Sequence, residues 1–224
     1  MLESKAMFLL ASQSPRRKQL LEWTGWAFKI IPSLTAEKEA PGETSLEYVK
    51  RVSAEKAAEV ISRVKENGYV FAADTIVVLD EMILGKPESN DQASDFLLKL
   101  RGKTHFVHTA LFVEDSRSKQ IQQDLCTSHV KMREYTLQEI RDYINTGDAL
   151  DKAGAYAIQH KGFHPVQDFH GCLANVMGLP LCHLVRMMAK MGVFPPKDVP
   201  FTCQKNLDYD CPVTSKILKG ENVG

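Results

Sequence analysis

Four places in the 224-residue chain carry polar side chains that chemistry could use. The first is a turn. Ser12, Ser14, Arg16 and Arg17 fall where a short apolar run, Phe8 to Leu10, gives way to a helix start at Ser14-Pro15. Serine can cap the first free N–H groups, and proline sits where no N–H is needed. Two hydroxyls, two guanidiniums and the positive end of a helix dipole favour an oxyanion such as a phosphate. A solvated basic helix start is the plainer alternative. The second place is Lys56, in the middle of the helical stripe Val49, Val52, Val60 and Val64. A lysine there faces the protein, so it must snorkel, pair with a carboxylate or line a cleft that holds an anion. The third is Asp74, with Thr75 after it, inside the apolar run Tyr69 to Leu79. A carboxylate there is costly unless it binds a cation or accepts hydrogen bonds. At the carboxyl end of a strand it suits metal ligation or general-base work; an aspartate bonded to backbone where a strand stops early is the alternative. The fourth is Lys86, in the turn Leu84-Gly85-Lys86-Pro87, which adds a cation soon after Asp74.

Together these residues imply a cleft with several cations for phosphates and an acid for a divalent metal or a water. That is a constellation for phosphoanhydride chemistry, in which positioning and charge stabilisation do most of the catalysis. No segment matches G-x-x-x-x-G-K-S/T, so a P-loop is excluded, and the dinucleotide fingerprint G-x-G-x-x-G is also missing.

The elements that must position these residues alternate between strand and helix, which points to an α/β fold. Strands are expected at Phe8 to Leu10, Phe28 to Ile31, Tyr69 to Leu79 and Ala155 to Ile158, with Thr104 to Val113 and Ile121 to Arg133 as a hairpin pair. Helices are expected from Ser14 toward Gly25, from Ser45 to about Gly68, from Ser89 or Asn90 to Gly102, from Thr136 to about Gly147, and from Pro180 to Gly192. Thr44 with Glu47, and Thr136 with Glu139, have capping-box spacing. After Pro195-Pro196 the chain is aperiodic. Residues 1–195 therefore read as a single catalytic domain and 196–224 as a loosely held C-terminal tail.

Composition narrows the function classes. Hydrophobic residues make up 44% and charged residues 25%, the profile of a soluble globular protein rather than a disordered one. Lys+Arg and Asp+Glu both total 28, so a whole-surface nucleic-acid role is not expected, whereas a local anion site is compatible. No apolar run reaches the roughly 18 residues of a membrane span, and Met7 to Ala11 is too short for a signal peptide. The five cysteines, Cys126, Cys172, Cys182, Cys203 and Cys211, are odd in number and have no C-x-x-C spacing. That argues against a disulfide framework or a zinc site and for a reducing, cytoplasmic location.

The same residues carry a resemblance. Leu10-Ala11-Ser12-Gln13-Ser14-Pro15-Arg16-Arg17 resembles the opening motif of the Maf family of nucleotide pyrophosphatases. Ala73-Asp74-Thr75-Ile76-Val77-Val78 and Ile83-Leu84-Gly85-Lys86-Pro87 are similar to its central motif. Leu150-Asp151-Lys152-Ala153-Gly154-Ala155-Tyr156-Ala157-Ile158-Gln159 and Asn175-Val176-Met177-Gly178-Leu179-Pro180-Leu181 are similar to its third and fourth. The resemblance implies hydrolysis of a nucleoside triphosphate to a monophosphate and pyrophosphate with Mg²⁺ or Mn²⁺. It also implies a bent mixed sheet flanked by helices, with two lobes around a central cleft, as in inosine triphosphate pyrophosphatases. By motif position, Ser12, Arg16 and Arg17 would bind phosphates, and Lys56 and Lys86 would neutralise charge. Glu37 and Asp74 would hold the metal, with Asp74 also the proton acceptor. Glu37 and Gln159 rest on the resemblance alone.

Arg16, Thr75 and Gln159 look like the set found in members acting on dTTP and UTP. His160, and Gly171-Cys172-Leu173, depart from the family pattern near the expected base pocket. Two alternatives stay open: a pyrophosphatase for 7-methyl-GTP or another modified nucleotide, and a non-catalytic nucleotide- or nucleic-acid-binding regulator of cell division. The resemblance is compatible with a homodimer. The seven histidines read as ordinary core or surface residues, with His160 the one placed to touch substrate.

Overall fold

The apolar run at 69–79 becomes the spine of the molecule. In the computed structural model, which describes residues 7–221 and 223, strand β3 (Tyr69–Leu79) is buried at every position but Thr75. That is what a strand rich in Val, Ile and Ala requires. One edge of β3 pairs antiparallel with β5 (Thr104–Asp115) over nearly its full length. β5 forms the expected hairpin with β6 (Ile121–Met132), and β7 (Val166–His170) lies beside β6. Two strands share the other edge of β3. β1 (Phe8–Leu10) pairs parallel with residues 69–71 and carries β2 (Phe28–Ile30) on its far side; β4 (Met82–Leu84) pairs antiparallel with residues 77–79. Among the described residues this makes a mixed seven-stranded sheet, β2-β1-β3-β5-β6-β7 with β4 beside β3. With its helices it is the expected α/β fold. Between residues 71 and 77, β3 has a strand on one edge only among the described residues.

The helix starts follow from their caps. Ser14 accepts from the Arg17 N–H and Pro15 occupies the first position of α1 (Pro15–Glu22). Both capping boxes form, Thr44 with Glu47 at α2 (Ser45–Arg63) and Thr136 with Glu139 at α4 (Leu137–Asn145). Ser89 caps α3 (Asn90–Leu100). A single turn, α5 (Leu173–Val176), precedes α6 (Leu181–Lys190), α7 (Val199–Leu207) and α8 (Thr214–Leu218).

Packing divides each face of β3 into two apolar clusters with a polar residue between them. On one face Phe71 and Ala73 join Trp26, Leu111 and α6, while Val77 and Leu79 join α3 and α4. Thr75 lies at the seam. On the other face Val70 and Ala72 pack on Ala57 and Val60, while Ile76 and Val78 pack on Tyr48, Val49 and Val52. Asp74 lies at that seam. Successive strand residues point to opposite faces, so one dipeptide marks both seams.

The structure corrects four expectations. α2 ends at Arg63 because residues 64–68 turn the chain so that Tyr69 can lie beside Phe8. Ala155 to Ile158 is not a strand: Gly154 and Ala155 have φ of 68° and 60°, left-handed values that no strand accommodates. β4 and β7 are strands the sequence did not announce; β4 has three residues, and β7 is a mostly polar edge strand. The C-terminal segment is not loose. Val199, Cys203, Leu207 and Ile217 are buried, and Arg186 on α6 donates to the carbonyls of Ile217 and Glu221. Fully burying aliphatic side chains of this kind stabilises by roughly 1.5–3 kcal/mol each.

Candidate active site

The gap in the edge of β3 opens into a cleft of about 370 Å³ between the β1–α1 turn, the turn after β4 and the Asp151–Tyr156 segment. That volume suits a small organic ligand. Ser12, Arg16, Arg17, Glu37, Lys56, Thr75 and Lys86 all line it. The structure therefore brings together side chains that are up to 74 positions apart in sequence, from Ser12 to Lys86.

One wall holds Arg17. Its Nε donates to the Gly178 carbonyl at 2.9 Å, one Nη to Thr75 Oγ1 at 3.0 Å and the other to Ser12 Oγ at 3.4 Å. A guanidinium has five N–H bonds, so two remain for an oxyanion. Burial pulls the Arg17 pKa down, and the Asp74 and Glu37 carboxylates pull it back. Gly178 must be glycine here: its φ is +101°, and a Cβ would lie 3.2 Å from Arg17 Nε. Ser12 Oγ also accepts from the Ser14 N–H at 3.2 Å, which ties the turn to the helix cap. Arg16 is half-buried and reaches Asp151, its Nη 3.9 Å from the carboxylate. Lys86 is exposed on the cleft and has no ion-pair partner among the described residues. Its turn is fixed by a bond from the Gly154 N–H to the Gly85 carbonyl, 3.0 Å.

The opposite wall is a carboxylate–ammonium–carboxylate chain. Lys56 Nζ lies 2.6 Å from Glu37 Oε1 and 2.7 Å from Asp74 Oδ1. Lys56 is 7% exposed and Asp74 3%, so the lysine is paired rather than snorkelling, and the buried aspartate has its cation. Asp74 sits behind Lys56 rather than on the open surface of the cleft. Burial disfavours the Glu37 charge, but Lys56, assisted by Arg17 and Lys86, outweighs it and holds the carboxyl below the usual range.

Glu37 belongs to a segment without regular structure, and the polar face of α2 holds that segment in place. Glu59 accepts from the Leu34 N–H, Thr35 donates to the Glu55 carbonyl, and Arg51 and Arg63 donate to the carbonyls of Lys38 and Pro32. These bonds make α2 the scaffold for both Lys56 and Glu37.

Besides Asp74, which sits behind Lys56, two sequence candidates do not line the cleft. Gln159 is exposed and does not line it. His160 is half-buried; its ring meets Tyr143 edge-on, and its Nδ1 accepts from the N–H groups of Gly162 and Phe163. Of the other histidines, His105 bonds to Tyr156 and His108 to Thr127, and burial pushes both down to about 4. Lys152 does line the cleft, but its ammonium is held at 2.6 Å by the Asp148 carbonyl and by the carboxylates of Asp148 and Asp151. All three of its donors are in use. Buried beneath Thr75 are Thr109, which sequence reasoning missed, and Asn175, which opens the fourth motif but was given no role. A threonine in the middle of a strand gives no signal that it has a site role.

A family model described as Maf-like protein matches residues 7–191. The chain belongs to the Maf family. Relatives of this Maf protein include a dTTP/UTP pyrophosphatase from Dehalococcoides mccartyi, 41% identical over 84% of this chain and 83% of its own. Those from Clostridium tetani and Syntrophomonas wolfei are each 42% identical, over 83% and 82% of this chain and 98% and 96% of theirs. Among solved structures, a dITP/XTP pyrophosphatase from Mycobacterium abscessus covers 56% of this Maf chain and 72% of its own at 12% identity, with a TM-score of 0.37. No described helix is long and apolar enough to cross a membrane.

Proposed function

We propose that this protein hydrolyses dTTP and UTP to the monophosphate and pyrophosphate, the activity in the names of its relatives. One observation carries the chemistry. One cleft sets a guanidinium with two free N–H bonds, a second arginine and a lysine that has no ion-pair partner among the described residues against an ammonium paired with Glu37 on the cleft and with Asp74 just behind it. Arg16, Arg17, Ser12 and Lys86 bind the triphosphate. Water attacks the α-phosphorus and Asp74 accepts its proton. The bond from the α-phosphorus to its bridging oxygen breaks, and pyrophosphate leaves with its charge held by the cations.

The donor set fits a divalent metal. Glu37 and Asp74 already direct an oxygen each at one cationic centre, the Lys56 ammonium. Mg²⁺ in particular takes one or two carboxylates together with substrate phosphates and water. No cluster of three or more protein ligands exists among the described residues, which suits an ion that arrives with its nucleotide. Glu37 and Asp74 would hold Mg²⁺ or Mn²⁺, which when bound polarises the phosphate oxygens. Lys56 holds the two carboxylates together, Glu37 on the cleft and Asp74 behind it.

The pyrimidine preference is supported by the names of the relatives and by the resemblance of Arg16 and Thr75 to the set found in family members acting on dTTP and UTP. Gln159 enters base recognition only if its turn closes on the bound nucleotide. Residues 1–195 form the catalytic unit and 196–224 the C-terminal tail, whose helices α7 and α8 are fastened to that unit in part through Arg186. Five unpaired thiols support a cytoplasmic location.

The test is pyrophosphate release from dTTP, UTP, CTP, GTP and 7-methyl-GTP with Mg²⁺ or Mn²⁺, with Asp74→Asn as control. Release from dTTP and UTP that the substitution removes is the expected result. Release from the other nucleotides alone overturns the base preference, and no release by folded protein overturns the enzyme reading.

A further inference from the structure

Two of the three acceptors that hold Arg17 are Thr75 Oγ1 and the Gly178 carbonyl. Both are held in turn by one group beneath the cleft, the backbone carbonyl of Asn175. That oxygen accepts from the Gly178 N–H at 2.8 Å and from Thr109 Oγ1 at 3.0 Å. Thr109 Oγ1 lies 2.9 Å from Thr75 Oγ1. The Asn175 carbonyl is itself anchored by its own side chain, whose Nδ2 donates to the Val107 carbonyl and to Ser128 Oγ, both at 2.9 Å. Thr109, Asn175 and Ser128 are each 0% exposed.

Counting protons gives this relay a direction. A carbonyl cannot donate, so Thr109 must donate its only hydroxyl proton to Asn175. Thr109 then has nothing left to give Thr75, so Thr75 donates to Thr109. The proton of Thr75 is thereby committed away from the cleft, and its lone pairs face the Arg17 Nη. If Thr75 pointed its proton at the guanidinium, the contact would be repulsive and Arg17 would swing.

We propose that Thr109, which touches no ligand and lies beneath the cleft floor, is a positioning residue: it sets the hydroxyl of Thr75 so that Arg17 presents its free N–H pair to the triphosphate. The proposal rests on the reading of Arg17 as a phosphate-binding group. The residue it assigns lies outside the motifs that carry the resemblance, on the middle strand of the antiparallel half of the sheet. Its side chain is the handle on the relay, since the Asn175 acceptor is backbone.

The test is a double-substitution cycle on the full chain, with steady-state kinetics on dTTP and a thermal melt for each variant. Thr109→Val keeps the shape and the strand preference of threonine and removes the hydroxyl. Thr109→Ser keeps the hydroxyl. The relay predicts that T109V raises KM and lowers kcat/KM about tenfold, with T109S within about twofold of the parent. In an Arg17→Ala background the relay has nothing to position, so T109V lowers kcat/KM by less than about twofold there. A structural role for Thr109 instead predicts the same loss in both backgrounds and a T109S no better than its melting temperature allows; that result overturns the proposal. If R17A loses activity and folded T109V does not, the relay alone fails. If R17A itself keeps full activity, the reading of Arg17 fails and takes the relay with it.

Discussion

The two walls of the cleft are built on adjacent residues of one strand and by different means. Thr75 points into the wall that holds Arg17, where neutral hydroxyls and carbonyls fix a cation without cancelling its charge. Asp74 points into the opposite wall, where Lys56 is sandwiched between two carboxylates and no net cation is left over. Neutral acceptors leave a guanidinium free to attract an anion. Carboxylates neutralise an ammonium but keep their own remaining lone pairs for a metal or a proton. The first arrangement is suited to binding and the second to turnover. Both follow from the alternation of side chains along β3.

The largest expected effect separates the walls outright. Asp74→Asn should lower kcat about a thousandfold, the scale of a lost general base. Nucleotide affinity, read by calorimetry with a non-hydrolysable analogue, should stay within a few-fold. An equal loss of affinity and rate would mean that the two walls act as one unit. Arg17→Ala should show the reverse bias: kcat/KM falls about a hundredfold, mostly through KM. A change confined to kcat would place Arg17 on the reacting phosphorus rather than on the bound triphosphate.

A smaller effect probes the acidic wall. Glu37→Gln should raise the metal concentration for half-maximal rate by at least about tenfold, read from a Mg²⁺ titration at saturating nucleotide; an unchanged titration would remove Glu37 from the metal set. The smallest effect is in stability. The cations hold the Glu37 pKa below the ordinary carboxylate value, so its ion pair contributes fully above that value. The contribution disappears as pH falls through the lower folded value. Because Glu37 is half-exposed, it is worth about 1 kcal/mol or less. Melts of the parent and E37Q should therefore differ by a constant amount from pH 8 down to the carboxylate range and converge below it. A gap that widens on acidification would reverse the sign and overturn the pairing.

The parts of the site legible in the sequence were the side chains that broke a local pattern. Lys56 interrupts an apolar helical stripe and Asp74 an apolar strand. The Ser12–Arg17 segment puts cations at a helix start that its own cap announces. A charged group where burial is expected has few physical solutions, and pairing or ligand binding covers most of them. Glu37 had no such contrast. It is an acid in an acidic, irregular stretch, and only its resemblance to a family motif raised it. The reason it reaches Lys56 lies in four hydrogen bonds from the segment around it to the outer face of α2, which no local pattern encodes. Gln159 is the opposite case: the motif raised it, and the structure shows it exposed and not lining the cleft.

The C-terminal segment failed for a related reason. Its apolar residues are few and widely spaced, so no periodic face stands out, yet Val199, Cys203, Leu207 and Ile217 are buried because α6 offers a surface to pack on. Helices this short take their stability from tertiary packing rather than from propensity.

By itself the sequence determined the α/β alternation, the capped helix starts, the buried central strand and the set of charges that needed partners. Those are consequences of periodicity, capping and the cost of burying charge, all of which act over a few residues. Only the tertiary structure decided which partner each charge received. It ended β1 and began β4 on the same edge of β3, leaving the gap where the cleft opens. It also placed Thr109 and the Asn175 carbonyl beneath Thr75. Strand register and the packing of distant segments set those contacts, and neither is written in any short stretch of chain.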